Sequence, residues 1–189
     1  MSTAIWLRRS AFGWLGAAGL LVAITACSGT KNSPAPVDTA PGTWTRLASM
    51  PSVRQEVAVA ETGGRMYVIG GFGRGLAASD LGEAYLPGAD HRERRAALPM
   101  ALHHPAAVGL DAKVLVFGGF RGTISWTPLA NVFEYDPATD RWRERAPMPT
   151  ARGGLAAAVV GGEVHVVGGE AGARLATHEV YDPRADRWR

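Results

Sequence analysis

The sequence predicts an all-β fold assembled from repeated four-stranded sheets, and three sets of marks predict it. Diglycines fall at Gly70-Gly71, Gly118-Gly119 and Gly168-Gly169, 48 and 50 residues apart. Tyrosines followed by a proline-bearing turn fall at Tyr85, Tyr135 and Tyr181, 50 and 46 apart. Tryptophans stand at Trp44, Trp142 and Trp188, with Arg92 where another would fall. A period near 50 with four short strands per unit is the signature of a β-propeller blade. No 11-residue window after position 43 carries helical periodicity, so helices should be few.

Residues 1–26 read as an export signal, set apart from the fold. Arg8 and Arg9 form a positive start, and Ala11 to Ala26 is an apolar stretch of 16 residues, short for a bilayer span. It ends in Ile24-Thr25-Ala26-Cys27, which resembles a bacterial lipobox. That resemblance implies cleavage before Cys27, lipidation of its thiol and a chain anchored to a membrane, facing the periplasm or cell surface. Cys27 is the sole cysteine, so an internal disulfide is impossible. Residues 27–43 carry Pro34, Pro36 and Pro41 among small polar residues and read as a flexible tether. The chain has 20 basic and 17 acidic residues, and loss of Arg8 and Arg9 would leave 18 against 17. With bases and acids interspersed, nothing suggests a nucleic-acid partner.

Residues 44–52 read as an orphan outer strand, because Trp44 to Leu47 followed by Met50-Pro51 matches Trp142 to Arg145 followed by Met148-Pro149. Such a strand would clasp a ring shut. Blade 1, residues 53–98, starts with Glu56 to Ala60, where Val57 and Val59 alternate with smaller residues. Thr62-Gly63-Gly64 supplies a hairpin turn, Met66 to Ile69 an apolar strand, Glu83 to Tyr85 a third and Arg92 to Leu98 a degenerate fourth. Blade 2, residues 99–147, uses Pro105 to Leu110, a turn at Asp111-Ala112, Lys113 to Phe117, Asn131 to Tyr135 and Trp142 to Glu144. Blade 3, residues 148–189, uses Leu155 to Val160, Gly161-Gly162, Val164 to Val167, Glu179 to Tyr181 and Arg187 to Arg189. Tyr135, Trp142, Tyr181 and Trp188 are expected between blades, where buried aromatic area joins one sheet to the next.

Tyr-Asp-Pro-Ala-Thr-Asp-Arg-Trp at 135–142 and Tyr-Asp-Pro-Arg-Ala-Asp-Arg-Trp at 181–188 resemble the kelch repeat. The resemblance covers roughly residues 44–189 and implies a kelch-type propeller. Three blades and one orphan strand fall short of the four to eight that close a ring. The expectation is an incomplete ring that lacks roughly two to four blades beyond Arg189.

Kelch domains that recognise acidic peptides, and the similar sialic acid mutarotases, carry arginines at one repeat position on the ligand face. By resemblance that position is filled by Arg54, His104 and Arg152, four residues after Met50, Met100 and Met148. An arginine bonding nearby carbonyls to fix a strand start is the alternative. The loops after the diglycines, residues 72–80, 120–130 and 170–177, differ most between units, where a scaffold varies its specificity. In the middle one, Trp126 could stack on sugar or peptide, or equally cover the neighbouring blade. His103 and His104 are adjacent on an expected strand, so their side chains should face opposite ways and not share a metal. No other metal set appears. Galactose oxidase is also a kelch-type propeller, but its cofactor needs a cysteine cross-linked to tyrosine, and Cys27 lies in the signal. No cofactor is expected. The expectation is therefore a non-catalytic binding module on a membrane-anchored lipoprotein, taking a protein or carbohydrate through propeller loops. The alternatives are a mutarotase-like sugar epimerase, or a scaffold for a catalytic domain beyond Arg189.

Overall fold

The computed structural model describes residues 42–189. The expected signal at 1–26, Cys27 and nearly all of the tether lie outside the described residues. Strands β1 (Ala58–Thr62), β2 (Arg65–Ile69), β3 (Gly82–Leu86) and β4 (His91–Arg95) form one antiparallel sheet in that order. Strands β5 (Ala106–Leu110) and β6 (Lys113–Phe117) are followed by a small hairpin, β7 (Phe120–Arg121) with β8 (Thr127–Pro128). They join β9 (Val132–Asp136) and β10 (Arg141–Arg145) in a second sheet. Strands β11 (Ala156–Val160), β12 (Glu163–Val167), β13 (His178–Asp182) and β14 (Arg187–Trp188) form the third. The three blades are therefore present, each an up-and-down sheet of four strands.

Turn chemistry explains the innermost hairpins. Gly63 and Gly64 sit at φ 60° and 70°, and Gly161 and Gly162 at 61° and 84°, the left-handed pair that a tight hairpin turn needs. Blade 2 makes the same turn with Asp111 and Ala112, at φ 50° and 58°. The second glycine of the first diglycine, Gly71, has φ 93°, and a Cβ there would lie 2.5 Å from the Gln55 carbonyl oxygen. Any larger residue would push the sheet edge away from the entering strand.

Two apolar layers join the sheets. Between blades 1 and 2 lie Ala60, Tyr67, Ile69, Leu98, Leu102, Val114, Val116, Phe133 and Tyr135, with Trp142 packed against them. Between blades 2 and 3 lie Val108, Leu115, Phe117, Met148, Val164, Val166 and Tyr181, with Trp188 at their margin. Inner strands approach closely: a Cβ on Gly109 would lie 1.7 Å from the Glu61 carbonyl oxygen. That crowding corrects one expectation. In β1 the face toward blade 2 is Ala58, Ala60 and Thr62, while Val59 is exposed, because only small side chains fit where two inner strands nearly touch.

A second correction concerns residues 44–50, which form no strand. Trp44 is 99% exposed, since no strand among the described residues lies beside it to pair with. What the segment does instead is repeated through the fold. The Ala48 amide donates to Asp90 at 2.8 Å, the Ala96 amide to Asp140 at 2.9 Å and the Ala146 amide to Asp186 at 2.9 Å. Each aspartate also accepts the hydroxyl of the tyrosine five residues before it, Tyr85, Tyr135 or Tyr181. The indole N–H of Trp142 then donates to the Ala96 carbonyl, and that of Trp188 to the Ala146 carbonyl, both at 2.9 Å. In blade 1 Arg92 Nε donates to the Ala48 carbonyl at 2.8 Å, and its guanidinium lies 4.7 Å from the Tyr85 ring centre. Arginine thus replaces both functions of tryptophan, a planar group over the tyrosine and an N–H to the preceding segment.

All three aspartate carboxyls are held below the ordinary range. For Asp90 and Asp140 the alanine amide is the largest cause. For Asp186 burial works upward but is outweighed by the Tyr181 hydroxyl and the Ala146 amide. A carboxyl with a lowered folded pKa stabilises fully above its unfolded value of about 3.9, and that contribution is lost as pH falls through the folded value. Tryptophan fluorescence should therefore report loosening of the blade joints below about pH 4. Asp140→Asn should flatten the acid limb, whereas a wild-type stability unchanged between about pH 5 and pH 2 would contradict the joint's ionic character.

Candidate functional site

Each β2-equivalent strand runs toward its diglycine, so the loops after the diglycines and the links between blades share one end of the stack. The tight hairpins occupy the other end. The loop end therefore gathers the least regular backbone and most of the sequence's candidate residues.

Arg54 and Arg152 enter this end but do not face solvent. Their side chains are 0% exposed. Arg54 pairs with Glu83 at 2.8 Å and donates to the carbonyls of Gly70 and Leu81 at 2.8 and 2.9 Å. Arg152 pairs with Glu179 at 2.6 Å and donates to the carbonyls of Thr150 and Val166, both at 3.3 Å. Both guanidinium forks are directed at internal partners, which is the arrangement of an arginine that fixes the start of a strand.

His104 is not at the same repeat position. Backbone bridges pair Gln55 with Phe72, His103 with Phe120 and Gly153 with Glu170, so the residue matching Arg54 and Arg152 is Leu102. Met100 misaligns the unit by two residues: the Leu98 amide bonds the Asp80 carbonyl as the Met148 amide bonds the Ala130 carbonyl. In blade 2 the residue facing Leu102's position on the third strand is Phe133, where the other blades have Glu83 and Glu179. Leu102 and Phe133 belong to one buried cluster. An ion pair in two blades is thus an apolar pair in the third.

The histidines also differ from expectation. His104 has φ 55°, a left-handed conformation that breaks strand alternation and turns its ring onto that of His103. Their Nδ1 atoms lie 2.7 Å apart. His103 is fully buried, stacked on Phe72 at 3.8 Å, with Nε2 3.1 Å from the Gly122 carbonyl oxygen. Burial pushes its pKa down, so the ring is neutral at neutral pH. Trp126 covers the group, its ring 4.9 Å from His103, 5.0 Å from His104 and 5.5 Å from Phe120, and is 43% exposed. The signal for the left-handed turn was Gly154, the blade 3 equivalent of His104, at φ 64°.

The kelch-motif family profile matches residues 101–149 and 151–189. The chain is a kelch-repeat protein. It is 32% identical over 143 residues to mouse Kelch-like protein 35, covering 75% of this chain and 24% of that one. It is 29% identical over 164 residues to Kelch-like protein terF of Aspergillus terreus, covering 80% of this chain and 35% of that one. Among solved structures it superposes on YjhT with a TM-score of 0.66 and 17% identity, covering 76% of this chain and 52% of that one. The chain therefore spans about a quarter to a third of the curated relatives it matches, and YjhT shows the fold alone.

Within these kelch repeats, each post-diglycine loop carries one arginine, which sequence reasoning passed over. Arg74, Arg121 and Arg174 are exposed and make no ion pair among the described residues. Leu76 and Ile124 beside them are 53% and 97% exposed. Arg74 and Leu76 also line an open hollow of about 340 Å³ with Val53, Gln55 and Phe72.

Removing Arg152 alone would leave the Glu179 carboxylate buried without its partner. Arg152→Leu should cost about 3–5 kcal/mol in urea unfolding, and the double change Arg152→Leu, Glu179→Phe should recover most of that loss. A single-variant cost below about 1 kcal/mol would remove the structural role assigned to this arginine.

Proposed function

We propose that this kelch-repeat chain is a non-catalytic interaction module that takes a protein partner on the loop end of its blades. Kelch repeats support a protein-binding propeller in general. The observation that carries the specific reading is the company of side chains on one end: Arg74, Arg121 and Arg174 with Leu76, Ile124 and Trp126. Exposed tryptophan and arginine are enriched among the residues that supply most binding energy in protein interfaces. The three arginines suit carboxylates on the partner, and their planar forks match that geometry. The internal pairing of Arg54 and Arg152 favours this reading over a sugar-acid enzyme that grips its substrate through them. We also propose display on a membrane through lipidated Cys27, supported by the Ile24-Thr25-Ala26-Cys27 sequence after an apolar stretch.

Peptides selected from a random library against the purified chain should be rich in Asp and Glu. Their affinity should fall at least about tenfold in Trp126→Ala and in a triple Arg74, Arg121, Arg174→Ser variant, and weaken with salt. Selected peptides that bind both variants as well as wild type would sink the loop-end site, and selective retention of glycans instead would redirect it to carbohydrate. In the exporting cell, Cys27→Ser should move the chain from the membrane fraction to the soluble one.

A further inference from the structure

Four polar groups run in line from blade 1 through the head of β5 into the β7–β8 hairpin: the Glu56 carboxylate, the His104 and His103 rings and the Gly122 carbonyl. Proton positions follow from the far end of the line. His103 Nε2 lies 3.1 Å from the Gly122 carbonyl oxygen and therefore donates there. Burial keeps the His103 ring neutral, so its Nδ1 is an acceptor. His104 Nδ1, 2.7 Å away, then carries the proton of that hydrogen bond. A neutral His104 has no second N–H, and its Nε2 faces a Glu56 carboxylate oxygen at 3.3 Å. Two acceptors meet there until one more proton arrives.

We propose that Glu56, His104 and His103 form a pH-operated clasp on the loop that carries Trp126: protonation of His104 closes the Glu56 contact as an ion pair and fastens the β7–β8 hairpin to blade 1. His104 Nε2–H then donates to the carboxylate, and the charged ring donates more strongly from Nδ1 to His103. Through His103 the hold reaches Gly122, in the turn of the hairpin. Trp126, four residues further on, lies against both imidazoles at 4.9 and 5.0 Å. Imidazoles change charge between about pH 8 and pH 5, and free glutamate carboxyls discharge near pH 4.3. The clasp is therefore open at alkaline pH, closes as pH falls through the imidazole range, and opens again once the carboxylate is protonated.

The repeat does not ask for these side chains. Glu56, His104 and Gly154 share one left-handed backbone position, at φ 53°, 55° and 64°, and glycine fills it in blade 3. The ionisable side chains paired with His104 are His103 and Glu56. The hairpin meets its ring with Phe120 and Trp126, the loop after β2 with Phe72, and blade 3 brings the Gly154 amide to its carbonyl. Those elements also carry Arg121, Arg74, Asp80, Arg152 and Glu170. Arginine and carboxylate side chains do not change charge between about pH 8 and pH 5. The Glu56 side chain is 49% exposed and that of His104 21%. An ion pair so placed shifts an equilibrium by up to about fivefold, enough to bias a hairpin and too little to hold two blades together.

The test is amide hydrogen exchange of the purified chain over residues 118–130, corrected for the intrinsic exchange rate at each pH. Protection of the hairpin amides relative to those of β6 should rise about two- to fivefold between about pH 7.5 and pH 5.5. The rise should vanish in Glu56→Gln and in His104→Asn, whose new side chain tolerates the left-handed backbone. It should persist in His165→Gln, which separates the clasp from the His165–His178 pair, 3.0 Å apart on β12 and β13. Wild-type protection that ignores pH, or a rise that survives Glu56→Gln, would overturn the clasp. Its effect on recognition rests on the loop-end reading above: selected acidic peptides should bind wild type more tightly at the lower pH, and Glu56→Gln equally at both. A hairpin that responds to pH in a chain that takes no peptide would sink the loop-end reading and leave the clasp standing.

Discussion

One carboxylate per blade carries the joint on which the stack depends. Asp90, Asp140 and Asp186 each join the tyrosine of their own sheet to the alanine amide of the preceding segment. The neighbouring tryptophan, or Arg92, fastens the same alanine by its carbonyl. Both backbone groups of that alanine are therefore satisfied where the chain passes from one blade to the next, a place where an unpaired group would be costly. The joint lies at the outer edge of the sheets. Near the inner strands glycine and alanine let the backbones close up, and the aromatic layer fills the wedge between. Wedge-shaped packing of this kind turns successive sheets about a common axis and brings their diglycine loops to one end.

The framework spends its buried charges internally. Arg54–Glu83 and Arg152–Glu179 bridge the entering strand to the third strand of the same blade, and blade 2 does the same with Leu102 and Phe133. That exchange shows that the position holds strands in place by any complementary pair. The side chains that the framework leaves exposed at that end are those of the loops, which no repeat geometry dictates. In the proposed interaction their arginines, Leu76, Ile124 and Trp126 would stand on the framework of the blades, which lowers the ordering cost of binding. The histidine pair lies directly beneath Trp126.

Much of this was legible in the sequence because the marks are repeated. The diglycines, tyrosines and tryptophans placed all three blades, and nearly every strand within a residue or two. What failed had local causes that the repeat does not show. Met100 looked equivalent to Met148, yet Pro99 is the partner of Pro149, and the two-residue slip put His104 where Leu102 belongs. Strand alternation placed His103 and His104 on opposite faces, but the left-handed backbone of His104 defeats alternation. Val59 looked inward by pattern, whereas the proximity of β5 reserves that face for alanine. Trp44 carried the mark of an outer strand, with no sheet beside it among the described residues. The hairpin of β7 and β8 had no repeat to announce it.

Amide hydrogen exchange at Ala48, Ala96 and Ala146 tests the joint most directly. The account predicts that all three amides, although outside any strand, are protected like those of the sheets, and that Asp140→Asn lowers protection at Ala96 first. Exchange of these amides at the rate of open loops, with the strand amides still protected, would show that the blades are held by their apolar layers alone and would contradict it.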